Sequence, residues 1–384
     1  MVGTETFDRM TPQYSRLMAG RVRFWAIVVL IGVILLALLL SHFSPDRPVK
    51  RDNPLDQFLY GSIGSDSGGL PTKVLLVMPQ ICSQHLPAGA PQDLTAFGFI
   101  QEPGERLPIG FSVRRQLIDR SSINCASCHV GQVRETPDAP AQVIAGMPAN
   151  LLDILAFYRF LFDCAADPGF NARNVLAAFD ERGWREPLDG PIYRYAVPQM
   201  KKQLLERRDR NAFLFEPGYT PFLPGRVNTF DTFKVDQFRQ FYAAHQPRLD
   251  PNEMYGIVAF PSVWNQRPRD GLNLHWDGNQ TSVRERNFSA AIGAGAVPSS
   301  MDLPTLFAVE EWLMDLAPPR YPFSIDPALA ERGAPIYRAR CSGCHDFGQP
   351  GVGKVYKLDD IGTDPYRLWS YTDTVRRAQI DYTK

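Results

Sequence analysis

The pentapeptide CASCH at residues 125–129 returns as CSGCH at residues 341–345, and the two copies contain four of the six cysteines. In each copy two residues separate the thiols, and a histidine follows the second thiol directly. A Cys-x-x-Cys pair alone also occurs in redox dithiols and in halves of zinc sites. A zinc site built from the four cysteines leaves both histidines unexplained, so the complete pentapeptide is the informative unit.

Cys-x-x-Cys-His is the pattern that attaches haem in c-type cytochromes. The two sulfurs bond the vinyl groups of the porphyrin, and the histidine that follows binds the iron. We therefore expect two covalently bound c-type haems. The expected attachment residues are Cys125, Cys128, Cys341 and Cys344, and the expected iron ligands are His129 and His345.

The bulk composition indicates a globular chain without a nucleic acid partner. Of the 384 residues, 44% are hydrophobic, and 41 basic side chains balance 41 acidic ones. This length favours two domains, and a zero net charge does not predict nucleic acid binding. The 33 prolines and 29 glycines predict long ordered loops between the helices.

The run FWAIVVLIGVILLALLL at residues 24–40 carries no charge over 17 positions. As a helix it is about 26 Å long, near the thickness of a bilayer core, and residues 41–43 extend it. The following SHFSPDRPVK offers no Ala-x-Ala cleavage site, which favours an uncleaved anchor over a signal peptide; a buried core helix is the third alternative. The sequence thus predicts contact with a membrane through an N-terminal transmembrane helix.

Helical spacing and capping residues lead to a prediction of fold class. Asp302 caps a predicted helix, and Pro304 suits its first turn. Helices are predicted over 112–124, 150–162, 197–207 and 302–319, and over the segment that enters the second motif. The predicted fold is mainly α, with two cytochrome c-like domains and long loops, preceded by an N-terminal transmembrane helix.

Proline-rich, charged segments suggest the domain boundaries. The predicted order is a cytoplasmic N-terminus (1–23), a transmembrane anchor (24–43), a linker (44–60), a first haem domain with a large insertion (61–317), a linker (318–326) and a second cytochrome c-like domain (327–384). No His or Met follows His345 to supply a sixth ligand, so the second domain is expected to be C-terminally truncated.

The haem motifs also predict a compartment. Bacteria attach haem in this way outside the cytoplasmic membrane, so the expected location is the inner membrane, single-pass, with the body in the periplasm and an electron donor or acceptor there. In such an oxidising compartment Cys82 and Cys164 form a disulfide, or they are two separate buried thiols. Sequence alone leaves both alternatives open.

The stretches FPSVWN (260–265) and LHWDGN (274–279) resemble a segment of the bacterial dihaem cytochrome c peroxidase superfamily, whose order of haem motifs is also similar. HWDGN, RERN (284–287) and IGTDPYR (361–367) are closer to the branch with the dihaem rubber oxygenases. The resemblance implies that Trp276 lies between the two haems and relays electrons. An ordinary buried aromatic residue is the alternative for Trp276.

The sequence departs from the peroxidase pattern at the positions that act on peroxide. Asn279 replaces an Arg, Arg286 replaces a Gln, and Ala296 replaces a Glu. Heterolysis of peroxide requires a general base near the distal oxygen, so these departures argue against ordinary peroxidase chemistry. The apolar segment AAIGAGAV (290–297) suits dioxygen and a hydrophobic substrate, or it is a Gly/Ala-rich packing loop.

The resulting functional hypothesis is a haem-dependent oxidoreductase, dioxygenase-like or peroxidase-like, in which haem 1 reacts and haem 2 transfers electrons. The alternatives are a pure electron-transfer dihaem cytochrome and a cytochrome c peroxidase. An open iron suits the oxidoreductase, and two six-coordinate irons suit the pure electron-transfer cytochrome. Candidate sixth ligands of haem 1 are Met147, His85, His245 and His275. Candidate propionate partners are Arg284, Arg286 and Arg367.

Overall fold

The computed structural model of the chain describes residues 11–43, 47–65, 69–228, 256–275 and 278–383. Contacts divide the chain into two compact units. The first consists of the segment up to Arg47 together with Arg115–Ile118, and the second consists of Pro48–Arg114 and Asp119–Lys384. Both Cys-x-x-Cys-His motifs belong to the second unit.

The helices of the described residues are α1 (Thr11–Phe43), α2 (Pro54–Tyr60), α3 (Thr72–Ile81), α4 (Cys125–His129), α5 (Ile154–Ala166), α6 (Ala172–Glu181), α7 (Asp189–Arg210), α8 (Val283–Gly293), α9 (Leu303–Asp315), α10 (Pro327–Arg340), α11 (Ser342–His345), α12 (Leu358–Ile361), α13 (Tyr366–Trp369) and α14 (Asp373–Thr383). Side-chain caps fix where several of them begin. Asp153, Asn171, Asp302 and Asp326 each accept a hydrogen bond from a backbone N–H of the first turn that follows.

Among the residues that the structure describes, the strands are short and form three small sheets. They are β1 (Arg47–Pro48), β2 (Leu70–Pro71), β3 (Phe111–Arg115), β4 (Asp119–Ile123), β5 (Val130–Val133), β6 (Gln142–Ala145), β7 (Arg226–Val227) and β8 (Val258–Ala259). One sheet has the order β1-β3-β4-β2, and β5-β6 and β7-β8 form two-stranded sheets. The hairpin β5-β6 is antiparallel, with Val130 opposite Ala145 and Val133 opposite Gln142.

The predicted fold class is wrong. The chain is about half helical and also contains sheets, and the first motif lies between strands β4 and β5. The segment 112–124, predicted as a helix, forms most of β3 and β4. The reason is tertiary: β4 pairs with β2, Leu70 opposite Ser121 and Pro71 opposite Arg120, and such pairing overrides local helical preference.

The predicted transmembrane helix is a second correction. Residues 24–40 lie within α1, yet among the residues that the structure describes, no helix combines the length and the apolar character needed to cross a bilayer. The uncharged run has 17 residues, which is the lower end of the range of about 17–25 residues for a transmembrane helix.

The core of the second unit closes around the first motif. Ala126 and Val130 are buried with the end of α2 and with Val309 and Leu313 of α9. The ring of Trp312 on α9 packs on that of Phe58, 5.2 Å between centroids. Burying a side chain of this size contributes about 1.5–3 kcal/mol to folding, so packing against α2 and α9 helps to hold α4 in place.

Candidate functional site

The first motif is itself a helix of one turn, α4, and Asn124 caps it. The Asn124 Oδ1 accepts from the backbone N–H of Ala126 at 2.9 Å, while its Nδ2 donates to the carbonyls of Leu59 at 3.3 Å and Gly61 at 2.9 Å. The side chain is buried. A buried amide with its groups paired is a rigid connector, so it ties the start of the motif to the end of α2.

Gly110 brings a second segment against the motif. Its carbonyl accepts from the Ser127 hydroxyl at 2.6 Å and from the Asn124 N–H at 2.8 Å. Its φ is 93°, a region that glycine adopts without strain. A Cβ at this position would lie 2.5 Å from the Ser127 Cα. The first motif therefore packs directly on the backbone of Gly110, where there is no room for a side chain.

The carbonyls at the end of α4 are bonded by the chain that returns from β6. The Gly146 N–H donates to the His129 carbonyl at 2.8 Å, and the Ala149 N–H donates to the Cys128 carbonyl at 3.0 Å. These bonds satisfy acceptors that a helix end leaves open. Trp264 closes over Gly146 and donates its Nε1–H to the Ala145 carbonyl at 2.7 Å.

The imidazole of His129 has one defined partner. Its Nδ1 lies 2.9 Å from the carbonyl oxygen of Pro261. A carbonyl only accepts, so Nδ1 carries the proton, and in a neutral ring Nε2 then keeps its lone pair. Burial lowers the pKa of His129 to about 4, and the Pro261 hydrogen bond opposes this shift. The ring is neutral near pH 7, with Nε2 available to a metal.

The two thiols of the first motif are free and half-buried. Burial raises the pKa of Cys125 to about 11, and burial raises that of Cys128 to about 12. Both are therefore protonated near neutral pH. In the described part of the chain, no group of three or more His, Cys, Asp or Glu side chains is arranged to hold a metal ion together. The four motif cysteines do not meet at one ion.

Cys125 lies between two apolar clusters. It packs against the cluster that contains Ala126 and against a second cluster built from Ile63, Ala291, Ala296 and Leu306. The AAIGAGAV segment thus contributes buried residues beside the first motif, which is what the packing-loop alternative predicts.

Arg286 lies near the first motif, and Arg269 lies near Arg286. Burial lowers the pKa of Arg286, on α8, to about 10, and the neighbouring charge of Arg269 lowers it further. Arg286 acts electrostatically on Cys125 and on His129. Two like charges in a half-buried region repel each other, so this place favours an anionic group.

The second motif has a different environment. Cys341 caps the end of α10, and Cys344 and His345 lie on the short helix α11, with Cys344 exposed. The Cys344 Sγ is 3.8 Å from the Tyr356 hydroxyl. The Tyr337 hydroxyl donates to Asp346 at 2.6 Å. No residue of α10 is buried, so this motif is presented to solvent.

One loop contacts the segment that follows the second motif. The N–H of Asn273 donates to the Gly353 carbonyl at 3.1 Å, and the Asn273 side-chain amide donates to the same oxygen at 2.7 Å. A Cβ on Gly278 would lie 2.8 Å from Val355. Arg269 lies over the Phe347 ring, 5.9 Å from its centroid. Trp276, between Asn273 and Gly278, lies outside the described residues.

The structure separates the sixth-ligand candidates. Met147 packs against Gly131, next to the motif. His85 is engaged elsewhere, since its Nε2 lies 2.9 Å from Asp167. His275 contacts Gln280 at 3.0 Å and has a φ of 63°. His245 lies outside the described residues.

The remaining candidates fall at three places. Arg284 forms an ion pair of 2.8 Å with the buried Glu310, whereas Arg367 lies on α13. Cys82 and Cys164 are buried and bonded to each other, which resolves the alternative that the sequence left open. The sequence singles out FPSVWN, which contains Pro261, but gives Pro261 no role. It does not point to Arg269 or Gly110 either, because each of the three acts on a residue distant in the chain.

Comparisons with known proteins show related sequences without an assigned activity. No family model matches the chain, and no solved structure matches it. The uncharacterized protein y4iM of Sinorhizobium fredii (strain NBRC 101917 / NGR234) is 37% identical over 127 residues, which are 33% of this chain and 28% of that protein. The uncharacterized protein y4iJ of the same strain is 25% identical over 93% of this chain and 72% of its own length.

Proposed function

We propose that the chain is a dihaem c-type cytochrome with oxidoreductase activity, in which the first motif forms the reactive centre and the second transfers electrons. The observation that carries the proposal is the His129–Pro261 hydrogen bond of 2.9 Å. Metal-ligating histidines usually donate the second ring N–H to a carboxylate or a backbone carbonyl. This bond leaves Nε2 free one residue after the two thiols.

The residues of the first motif fit a haem. Cys125 and Cys128 would form the two thioether bonds, and His129 would hold the iron on one side. The thiols are unpaired, as the formation of two thioether bonds requires. Arg286 would pair with a propionate, since a guanidinium binds a carboxylate through two parallel hydrogen bonds.

The second motif fits a haem in a more open setting. Cys341, Cys344 and His345 would attach it, and the side chains beside them are apolar. Phe347 is 50% exposed and Val355 is 66% exposed, while Tyr356 contacts Cys344. Exposed large apolar groups around an attachment site mark a surface that a ligand covers.

When bound, each haem supplies an iron that changes its oxidation state by one electron and, where its sixth position is open, accepts a small ligand. The chain's own residues provide the surroundings: His129 is held neutral and oriented, and Ala291 and Ala296 keep the vicinity of Cys125 apolar. This setting suits dioxygen with a hydrophobic organic compound better than peroxide. Ala296 stands where the peroxidases have a Glu, and it supplies no carboxylate to act on peroxide. Trp276 is proposed to relay electrons; its neighbours Asn273 and Gly278 contact the segment after the second motif.

The proposed location is outside the cytoplasm, in the periplasm. The buried Cys82–Cys164 disulfide supports it, because structural disulfides persist in oxidising compartments and are rare in the cytosol.

The decisive experiment is a haem count. The full chain would be expressed in a bacterium that matures c-type cytochromes, and the purified protein assayed by pyridine haemochrome and by haem staining of a denaturing gel. We expect two haems per chain, and one after Cys125→Ser with Cys128→Ser or after Cys341→Ser with Cys344→Ser. The matched control, Ser83→Ala, keeps two. A chain that matures without covalent haem overturns the proposal.

A ligand titration separates the oxidoreductase from a pure electron carrier. Cyanide added to the oxidised protein should shift the spectrum of the haem at the first motif. Two haems that are indifferent to cyanide and to carbon monoxide would leave electron transfer as the function.

A further inference from the structure

Tyr60 is a buried phenol in the core that surrounds the first motif. It is the last residue of α2 and is 4% exposed. It belongs to the packed cluster that contains Ala126 of the first motif, and Cys125 packs against the same cluster. The side-chain amide of Asn124 donates to the two carbonyls that flank Tyr60 in the sequence. Tyr60 is thus held beside the place where the first haem is proposed to bind.

The hydroxyl of Tyr60 has a carboxylate as its partner. It donates to the Glu102 Oε2 at 2.6 Å, within the range of about 2.5–2.7 Å that is typical of a hydroxyl bonded to a carboxylate. Burial, and then this hydrogen bond, raise the pKa of Tyr60 above its usual range, so the phenol keeps its proton near neutral pH. The pair therefore holds one proton on a buried phenol, next to a base that can take it.

A partly exposed ion pair lies over the same ring. Arg51 is 4.7 Å from the centroid of the Tyr60 ring, and it bonds Glu105 through two hydrogen bonds of 3.1 and 3.2 Å. The side chains of Arg51 and Glu105 are 29% and 33% exposed. The ring of Tyr60 therefore connects the core around the first motif to a charged patch at the surface.

This arrangement determines how the phenol can lose an electron. A phenol that loses an electron alone becomes a cation, and a buried charge without a partner is costly. Arg51 over the ring would repel that cation. A base within hydrogen-bond distance removes the proton as the electron leaves, and Glu102 is in the position to do so. The ring then stays neutral.

We propose that Tyr60 is a redox-active residue that gives one electron to the first centre and its phenolic proton to Glu102; this inference rests on the proposed function of the first motif. The oxidant is a hydroperoxide or a peracid, whose O–O bond takes two electrons at the first haem and releases an alcohol or an acid. Tyr60 returns one of these electrons. Its O–H bond breaks and a new O–H bond forms on Glu102, which leaves a neutral tyrosyl radical and a protonated glutamate.

The test detects the radical rather than turnover. The haem-loaded full chain, oxidised beforehand with ferricyanide, would be mixed with m-chloroperbenzoic acid, frozen and examined by electron paramagnetic resonance. We expect a tyrosyl radical signal that Tyr60→Phe removes while the haem count stays at two. Tyr193→Phe is the matched control and should keep the signal, because Tyr193 is also buried but packs edge-on against Phe179, 4.9 Å between centroids. A signal that survives Tyr60→Phe at full strength overturns the proposal.

A second pair of variants tests the path of the proton. Glu102→Gln keeps the size of the side chain but removes the base, and we expect the yield of the radical to fall about tenfold. Glu105→Gln makes the same charge change on the same turn, where the Glu105 N–H donates to the Glu102 carbonyl at 3.3 Å. Because Glu105 bonds Arg51 rather than Tyr60, we expect less than about a twofold change. Equal losses in the two variants would reduce the effect to net charge and overturn the role of Glu102.

Haem staining of every preparation keeps the two proposals apart. A chain that matures without covalent haem overturns the proposed function, and the redox role of Tyr60 with it. A loaded chain that forms no tyrosyl radical overturns only the redox role of Tyr60.

Discussion

Gly110 and Ser127 approach so closely that a Cβ on Gly110 would lie 2.5 Å from both the N and the Cα of Ser127. The same pair is joined by a hydrogen bond of 2.6 Å from the Ser127 hydroxyl to the Gly110 carbonyl. The backbone that supports the first motif therefore has no room for a side chain, and this supplies a selective way to disturb that motif.

Gly110→Ala should lower the free energy of unfolding by more than 2 kcal/mol, about 1 of it from its positive φ and the rest from the clash, as measured by urea titration. Gly104→Ala is the control, because Gly104 has a φ of 86° but nothing within 4 Å of a Cβ. It should lose about 1 kcal/mol only. Equal losses for the two variants would show that the contact with Ser127 does not matter.

His129→Ala should leave the haem count at two, since the thioether bonds do not need the imidazole, but remove the ligand that the Pro261 carbonyl orients. The spectrum of the first haem should change, and added imidazole should restore it in part. His85→Ala is the control, because His85 contacts Asp167 instead. An unchanged spectrum in His129→Ala would contradict the assignment of the iron ligand.

Replacing Cys82 and Cys164 together by Ala should destabilise the chain by about 2–5 kcal/mol, as is usual when a native disulfide is lost. The bond closes a separation of 82 residues, and a cross-link restricts the unfolded chain. A phosphine reductant should lower the urea midpoint of the wild type and leave that of the double variant unchanged. A urea midpoint of the wild type that does not change with the reductant would argue that the bond is absent.

Acid should remove the stabilisation that Asp167 provides. Hydrogen bonds from His85, Gly169 and Gln84 hold the pKa of this carboxyl below its usual range. The unfolded state therefore binds more protons in acid, and the stabilisation is complete above the unfolded pKa of about 3.9 and lost as the pH falls through the folded pKa.

The corresponding measurement compares urea midpoints of the wild type and Asp167→Asn between about pH 6 and pH 3. The variant should be less stable at the upper end, and the two curves should converge in acid. Asp163→Asn, which changes an exposed carboxylate of α5, should run parallel to the wild type. A constant gap between wild type and Asp167→Asn would contradict the linkage.

Local patterns in the sequence predicted the start of a helix correctly where the capping residue lies next to that helix. Helix α9 begins after Asp302, whose carboxylate accepts from the Thr305 N–H at 3.3 Å, as predicted. Helix α5 begins later than the predicted range 150–162, because Asp153 caps it, while Asn150 bonds the backbone of Gln132.

The features that depend on contacts between distant residues could not be predicted from the sequence. The Pro261 carbonyl meets His129 across 132 residues, and no local pattern records such a contact. The same holds for β4: its local sequence predicts a helix, but it forms a strand because it pairs with β2. The candidate site could therefore be located by its motif, whereas the groups that orient it could not.

The distance along the chain between His129 and Pro261 also sets an order of events during biosynthesis. During synthesis the thiols and the imidazole of the first motif leave the ribosome long before Pro261, whose carbonyl later orients the ring. In the finished protein Cys125 is half-buried and packs against clusters that contain residues of α2, α8 and α9, and α8 and α9 are also made afterwards. The side chains of the first motif therefore stay accessible until α8 and α9 have been made, which leaves an interval in which the proposed haem can be attached.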